Sequence, residues 1–292
     1  MYPYSATPPR FLHISFPADP EMTAPSPIIC KKVSGFPAAS AELVAFGLKF
    51  SSGGPHISRT MMLTELCMIF AAVPRGAPRQ EYSAAILDRN VLGKTTVSTR
   101  QKSLRHLREL YALDEGIRIF GLLRKLHQLD PPSLPLLAVQ VAWARDPLFR
   151  ATAPAALDTS EGDLVVPNGL AAAIKTAFPN NYSELSCNTI ARNAASSWTQ
   201  SGHLLGRSKK IRHHIKSTAV AVTMALFLGQ VTGYHGESVF SNPWCHILDL
   251  NLDRAKAMGF EAHRAGLINL RTVGEVVELT FPLLAEFLPQ PT

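Results

Sequence analysis

Gly93-Lys94-Thr95-Thr96 is the first stretch whose residue types suggest chemistry, since a glycine followed by Lys-Thr closes the phosphate loop of many nucleotide hydrolases. That loop needs a second glycine upstream, with a strand feeding it, so that backbone N–H groups can wrap the phosphates. The upstream position is Asp88, and the preceding stretch, Glu81 to Leu92, has a helical and not a strand pattern. A nucleotide hydrolase site is therefore not expected. Lys94 is left to meet a phosphate in a plainer way, between one helix expected to end at Gly93 and another capped by Thr95 or Ser98. No GxSxG, HExxH or recognisable carboxylate pair occurs either. His213-His214 lies in a basic stretch and reads as phosphate-facing, whereas Cys245-His246 reads as packing. The expectation is a protein without catalysis, metal or cofactor.

Cations are better organised than catalytic groups. Lys94, Arg100, Lys102, Arg105 and Arg108 follow one another with no acid between them, and a solvated face balanced by Glu109, Asp114 and Glu115 is the alternative. From Ser186 to Lys216 the chain holds Arg192, Arg207, Lys209, Lys210, Arg212 and Lys216, besides His203, and no carboxylate. Four of these bases sit in RSKKIR, at an expected β-turn, where a wing would lie on a phosphate backbone. Asn193, Ser197 and Gln200 on the preceding helix are placed to reach base edges, with Trp198 assigned to the core. A third set, Arg254, Lys256, His263 and Arg264, is diluted by Asp253 and Glu261.

The bulk composition agrees with a polyanionic partner. The net charge is +7, yet only 17% of residues are charged and 46% are hydrophobic, which excludes a largely disordered basic tail. The four cysteines are scattered, the usage of a reduced cytoplasmic protein. The most lipid-like run, Ala219 to Gly229, falls well short of the roughly 18 residues that a membrane span needs, so no membrane partner is expected.

Residues 1–50 are rich in proline and read as a poorly ordered leader. Residues 51–157 give one helical pattern after another and read as a bundle domain, with Leu104, Leu107, Leu110 and Tyr111 forming the stripe of one helix. Residues 164–216 give two helices, the second capped by Ser186, and then a basic hairpin. Residues 217–286 repeat that order more clearly: an apolar helix, a short one, a third capped by Asn251 or Asp253, and two strands. The expected class is mostly α, a helical N-terminal domain followed by two winged-helix-like modules with short β-hairpins.

Several stretches taken together resemble the BrxA proteins of bacterial BREX phage-defence systems. Phe50-Ser-Ser-Gly-Gly is similar to their aromatic-polar-polar-Gly-Gly opening, and SCNTIARNAASSWTQSGHLLG to a later segment where a helix leads into a glycine-hydrophobic turn. LDRNVLGKTTVSTRQKSLRHLRELYALD, LLAVQVAWARDPLFRATAPAAL and GLINLRTVGEVVELTFP extend the likeness over residues 50–285. The Pro-rich leader and the clear C-terminal wing depart from it. The resemblance implies a small, helical, non-enzymatic DNA-binding accessory subunit of an antiviral system, whose neighbours include an ATPase and a methyltransferase. The expected partner is double-stranded DNA, gripped by Lys94, Arg100–Arg108, the wing cations and the helix residues above. With about six phosphates neutralised, affinity would fall on the order of 10³-fold between about 50 and 200 mM salt. A protein-docking scaffold and a transcriptional regulator of a defence operon are the competing expectations.

Overall fold

The computed structural model describes residues 36–273 and 276–288, all within one compact unit that is mostly helical and carries two small antiparallel sheets. The first part is built from α1 (Ala41–Phe46), α2 (Leu63–Ala72), α3 (Arg79–Leu87), α4 (Val97–Tyr111), α5 (Arg118–Leu129), α6 (Leu134–Arg145), α7 (Pro147–Ala151) and α8 (Ala153–Leu157). Next come α9 (Pro167–Ala177), α10 (Glu184–Gln200), β1 (Leu204–Leu205) and β2 (Ile211–Arg212). The last part comprises α11 (Ala219–Val231), α12 (Pro243–Ile247), α13 (Leu252–Arg264), β3 (Asn269–Val273) and β4 (Val276–Thr280).

Local signals set most of these boundaries. The Thr96 hydroxyl accepts the Thr99 N–H, and Thr99 reciprocates to the Thr96 N–H, so a capping box opens α4. Leu104, Leu107, Leu110 and Tyr111 are buried as the stripe requires. Asn251 caps α13, and Gly266, at φ 71°, turns the chain just beyond its end. α10 begins earlier than expected: Ser183, not Ser186, is the cap, its hydroxyl accepting the Ser186 N–H. α3 also stops at Leu87, well before Gly93. Asn90, at φ 49°, breaks the chain there and its side chain accepts the Lys94 N–H.

The leader requires correction from residue 36 onward, while residues 1–35 lie outside the described residues. Phe36 packs edge-on to Trp143 at 5.2 Å and lies under the Arg150 guanidinium at 3.4 Å, and Ser40 caps α1, whose Phe46 is buried. Burial of the Phe46 ring and packing of the half-buried Phe36 offset the ordering entropy that a Pro-rich chain would otherwise keep.

α11 explains how the parts cohere. Val220 to Gly229 are buried on every side, because α5, α6, α12 and α13 surround the helix. A Cβ on Gly229 would stand 2.4 Å from the Asn242 amide nitrogen, so glycine admits Asn242, which caps α12 and donates to the Ala225 and Val239 carbonyls. One continuous hydrophobic core therefore runs from Leu43 to Phe287, across the positions where the sequence suggested boundaries.

Candidate nucleic-acid interface

The basic hairpin forms where expected, with Leu204 opposite Arg212 and Leu205 opposite Ile211. Its loop turns at Gly206, φ 95°, where a Cβ would lie 2.2 Å from the Lys209 carbonyl oxygen; only glycine fits. Lys210 then folds back, its ammonium donating to the Gly206 carbonyl at 2.8 Å and to the Thr199 hydroxyl of α10 at 2.9 Å. Burial lowers its pKa. The loop is thus closed by its own lysine and tied to the helix behind it. Arg207, Ser208 and Lys209 remain exposed at the tip, and among the described residues neither cation meets a carboxylate.

The segment before α9 bridges to the edge of this two-stranded sheet. The Gly162 and Val165 N–H groups donate to the Arg212 and Lys210 carbonyls, the Arg212 N–H donates to Asp163, and Leu164 pairs with Ile211. This brings Glu161 and Asp163, distant in sequence, to the hairpin, and the Glu161 carboxylate stands 3.5 Å from the His214 ring.

Two residues assigned to DNA contact must be withdrawn from it. Arg212 is buried, its guanidinium paired with Asp249 and donating to the His203 and His213 carbonyls. Strand alternation causes this: Arg212 shares the inward face with Leu204, whereas Leu205 and Ile211 face outward. His203 is also buried, with Nδ1 2.8 Å from the Ser201 hydroxyl and Nε2 2.7 Å from the Ile247 carbonyl. Burial pushes its pKa down to about 4, so it is neutral at ordinary pH and joins the hairpin to α12.

The polar residues expected to read bases are corrected together. Asn193 donates to the His56 carbonyl, Ser197 accepts the Met61 N–H, and Gln200 bonds Thr60 and the Leu63 N–H. All three grip the loop preceding α2 instead of facing outward. The face of α10 opposite its buried Cys187, Ile190, Ala194 and Trp198 carries Leu185, Thr189, Arg192 and Ser196, while Asn193 and Gln200 lie on the flank, where helical phasing alone does not assign them. Arg192 is exposed there and bonds Thr189.

On α4, Lys102 and Arg105 are exposed, while Arg100 and Arg108, and Lys94 just before the helix, have internal duties. Lys94 pairs with Glu65 at 2.9 Å, Arg100 donates to the Leu87 carbonyl, and Arg108 donates to the Ser83 hydroxyl at 2.6 Å. On α13, Arg254 is exposed, but Lys256 pairs with Glu237 and Arg264 with Glu261. In the second hairpin Arg271 stands opposite Glu278.

A constellation invisible in the sequence lies behind α10. His56 Nδ1 is 2.7 Å from the Asp146 carboxylate and Nε2 is 2.8 Å from the Ser197 hydroxyl, the connectivity of a Ser-His-Asp triad. All three side chains are fully buried, and the Ser197 hydroxyl also takes the Met61 N–H and donates to the Asn193 carbonyl, so no substrate carbonyl reaches it. A Cβ on Gly54 would strike Asp146 at 2.1 Å, which explains the second glycine of Phe50-Ser-Ser-Gly-Gly. Burial opposes ionisation of Asp146, but the His56 ring and the His56 and Phe149 N–H bonds outweigh it and hold the carboxyl below its ordinary range. The network fastens the 53–62 loop between α7 and α10.

Among the described residues no three His, Cys, Asp or Glu gather as a metal site, and no helix is long and apolar enough to cross a membrane. No protein-family model matches the chain, and no curated protein matches it.

Proposed function

We propose that this chain is a non-catalytic DNA-binding protein that holds duplex phosphates with the Arg207–Lys209 tip and with Arg192 on the outward face of α10. The observation that carries the reading is the clamped tip: two exposed cations without carboxylate partners on a loop that Lys210 prevents from collapsing. A preorganised cationic loop loses little entropy on meeting a polyanion. The order of α9, α10, β1 and β2, with Leu164 bridging back to Ile211, supports a winged-helix reading in which α10 faces the groove and the hairpin is the wing. The resemblance to BrxA supports placement in a bacterial antiviral complex, with the ATPase and methyltransferase as neighbours.

With Arg212, Lys210, Lys94 and His203 committed elsewhere, the footprint contracts to about three phosphates. The salt slope expected is then near −2.7, or a roughly 40-fold loss of affinity between about 50 and 200 mM salt. Fluorescence anisotropy on random duplex DNA measures it; a flat salt response sinks the reading.

One observation favours a second reading, docking on a protein. Leu205, Ile211 and Leu164 stand side by side on the outward face of the small sheet, and Leu164 and Leu205 are 48% and 50% exposed. Tight binding of a purified defence subunit, lost in Leu164→Asp but kept when the tip charges are reversed, would favour it.

A further inference from the structure

A shallow hollow of about 300 Å³ lies along α4, lined by Gln101, Leu104, Arg105, Arg108 and Glu109, with Lys49 closing it from the chain that follows α1. Gln101, Leu104, Arg105 and Arg108 recur at helical spacing, so one face of α4 supplies almost the whole wall. Beneath it Arg145 is buried, donating to the carbonyls of Gly47, Arg108 and Glu109 and meeting no carboxylate among the described residues.

The charges around this hollow do not balance. Its lining carries Lys49, Arg105 and Arg108 against the single carboxylate of Glu109, a surplus of two, with the Arg145 guanidinium bonded to the carbonyls behind it and Asp114 attracting Arg108 from outside the lining. Asp146 also attracts Lys49, but its carboxylate is already held by His56. Burial and then the repulsion of Arg145 lower the Lys49 pKa, and burial lowers that of Arg145 to about 10. A cluster of like charges this close is relieved by a bound anion with more than one negative charge. A phosphate dianion fills only part of the hollow, and Leu104 with the Lys49 and Arg105 stems offers an apolar wall beside it.

We propose that the Lys49–Arg105–Arg108 hollow binds the phosphate monoester of a small molecule, with the phosphate against the cations and the apolar portion along Leu104. The site does not depend on the DNA-binding reading and gives Arg105 and Arg108 a different role from the backbone contact their sequence run suggested.

The test is a ³¹P NMR titration of the full chain with phenyl phosphate and, separately, with inorganic phosphate. Saturable binding is expected for both, tighter for phenyl phosphate. The Lys49→Met/Arg105→Gln variant should weaken phenyl phosphate by at least about tenfold, as should the exposed substitution Gln101→Glu, which adds a carboxylate to the wall. Reversing the wing charges (Arg207→Glu/Lys209→Glu) should leave this binding unchanged, whatever it does to DNA affinity. No saturable binding, wild-type binding by both hollow variants, or displacement of the phenyl phosphate by duplex DNA without terminal phosphates would each overturn the proposal.

Discussion

The two hairpins of this protein are built on the same local plan and reach opposite electrostatic ends. Each follows a capped helix and pairs antiparallel. In the second, Arg271 stands across the strands from Glu278, and on the helix before it Arg264 pairs with Glu261 and Lys256 with Glu237. In the first, the bases divide by strand face. Arg212 goes inward to Asp249, Lys210 bends back to close the loop, and only the tip stays unpaired. A run of like charges in a sequence is therefore not a surface patch until alternation and long-range acids have taken their share.

The comparison breaks most severely at Arg212. Arg212→Met leaves the largely buried Asp249 carboxylate without its counter-charge, with only the Ile215 N–H donating to it, and should cost about 3–5 kcal/mol in a urea melt. Arg271→Met, at an exposed position across from the exposed Glu278, should leave the denaturation midpoint nearly unchanged. Next in size is the pH dependence of the first hairpin's joint. His203 falls from an ordinary 6.5 to about 4 on folding, so the unfolded chain binds the extra proton between these values. The stabilisation from keeping it neutral is complete above about pH 6.5 and lost as pH drops toward 4, a change of about 3 kcal/mol. His203→Gln should flatten that part of the profile. Asp146 acts lower: its depressed pKa stabilises the fold above the ordinary carboxylate value of 3.8, and that contribution is lost as pH falls through the folded value. In Asp146→Ala acid unfolding should begin from a lower plateau and be less steep.

A smaller effect sharpens the contrast without touching charge. Gly206→Ala places a Cβ against the Lys209 carbonyl and in a left-handed conformation, a local strain of about 1–2 kcal/mol. It should loosen the tip and weaken duplex binding several-fold while the net charge stays constant. The counterpart Gly266→Ala, also left-handed but with open space around its Cβ, should alter stability alone.

How far the sequence foretold this structure follows from the range of each interaction. The α4 stripe, the Asn251 cap and both hairpins depend on neighbours within a few residues, and each was legible. The α11 segment read as buried because its apolar character leaves no polar face. The site was harder. Arg207 and Lys209 stay exposed as the turn signal implied, but Arg212 answers to Asp249, and Asn193, Ser197 and Gln200 answer to residues 56–63, more than a hundred positions away. No local spacing encodes such partners. The His56–Asp146–Ser197 network and the Lys49 hollow went unseen for the same reason: each unites elements that only the packed core brings together.

The central claim, that the unpaired tip of the first hairpin is what grips a polyanion, is tested most directly by duplex-binding isotherms across a salt series. Wild type, Arg207→Glu/Lys209→Glu and the second-module control Arg264→Glu/Arg271→Glu should be compared side by side. The account expects a slope near −2.7 for wild type and for the control, and near-complete loss of binding when the tip is reversed. Equal binding by all three, or loss only in the control, would contradict it.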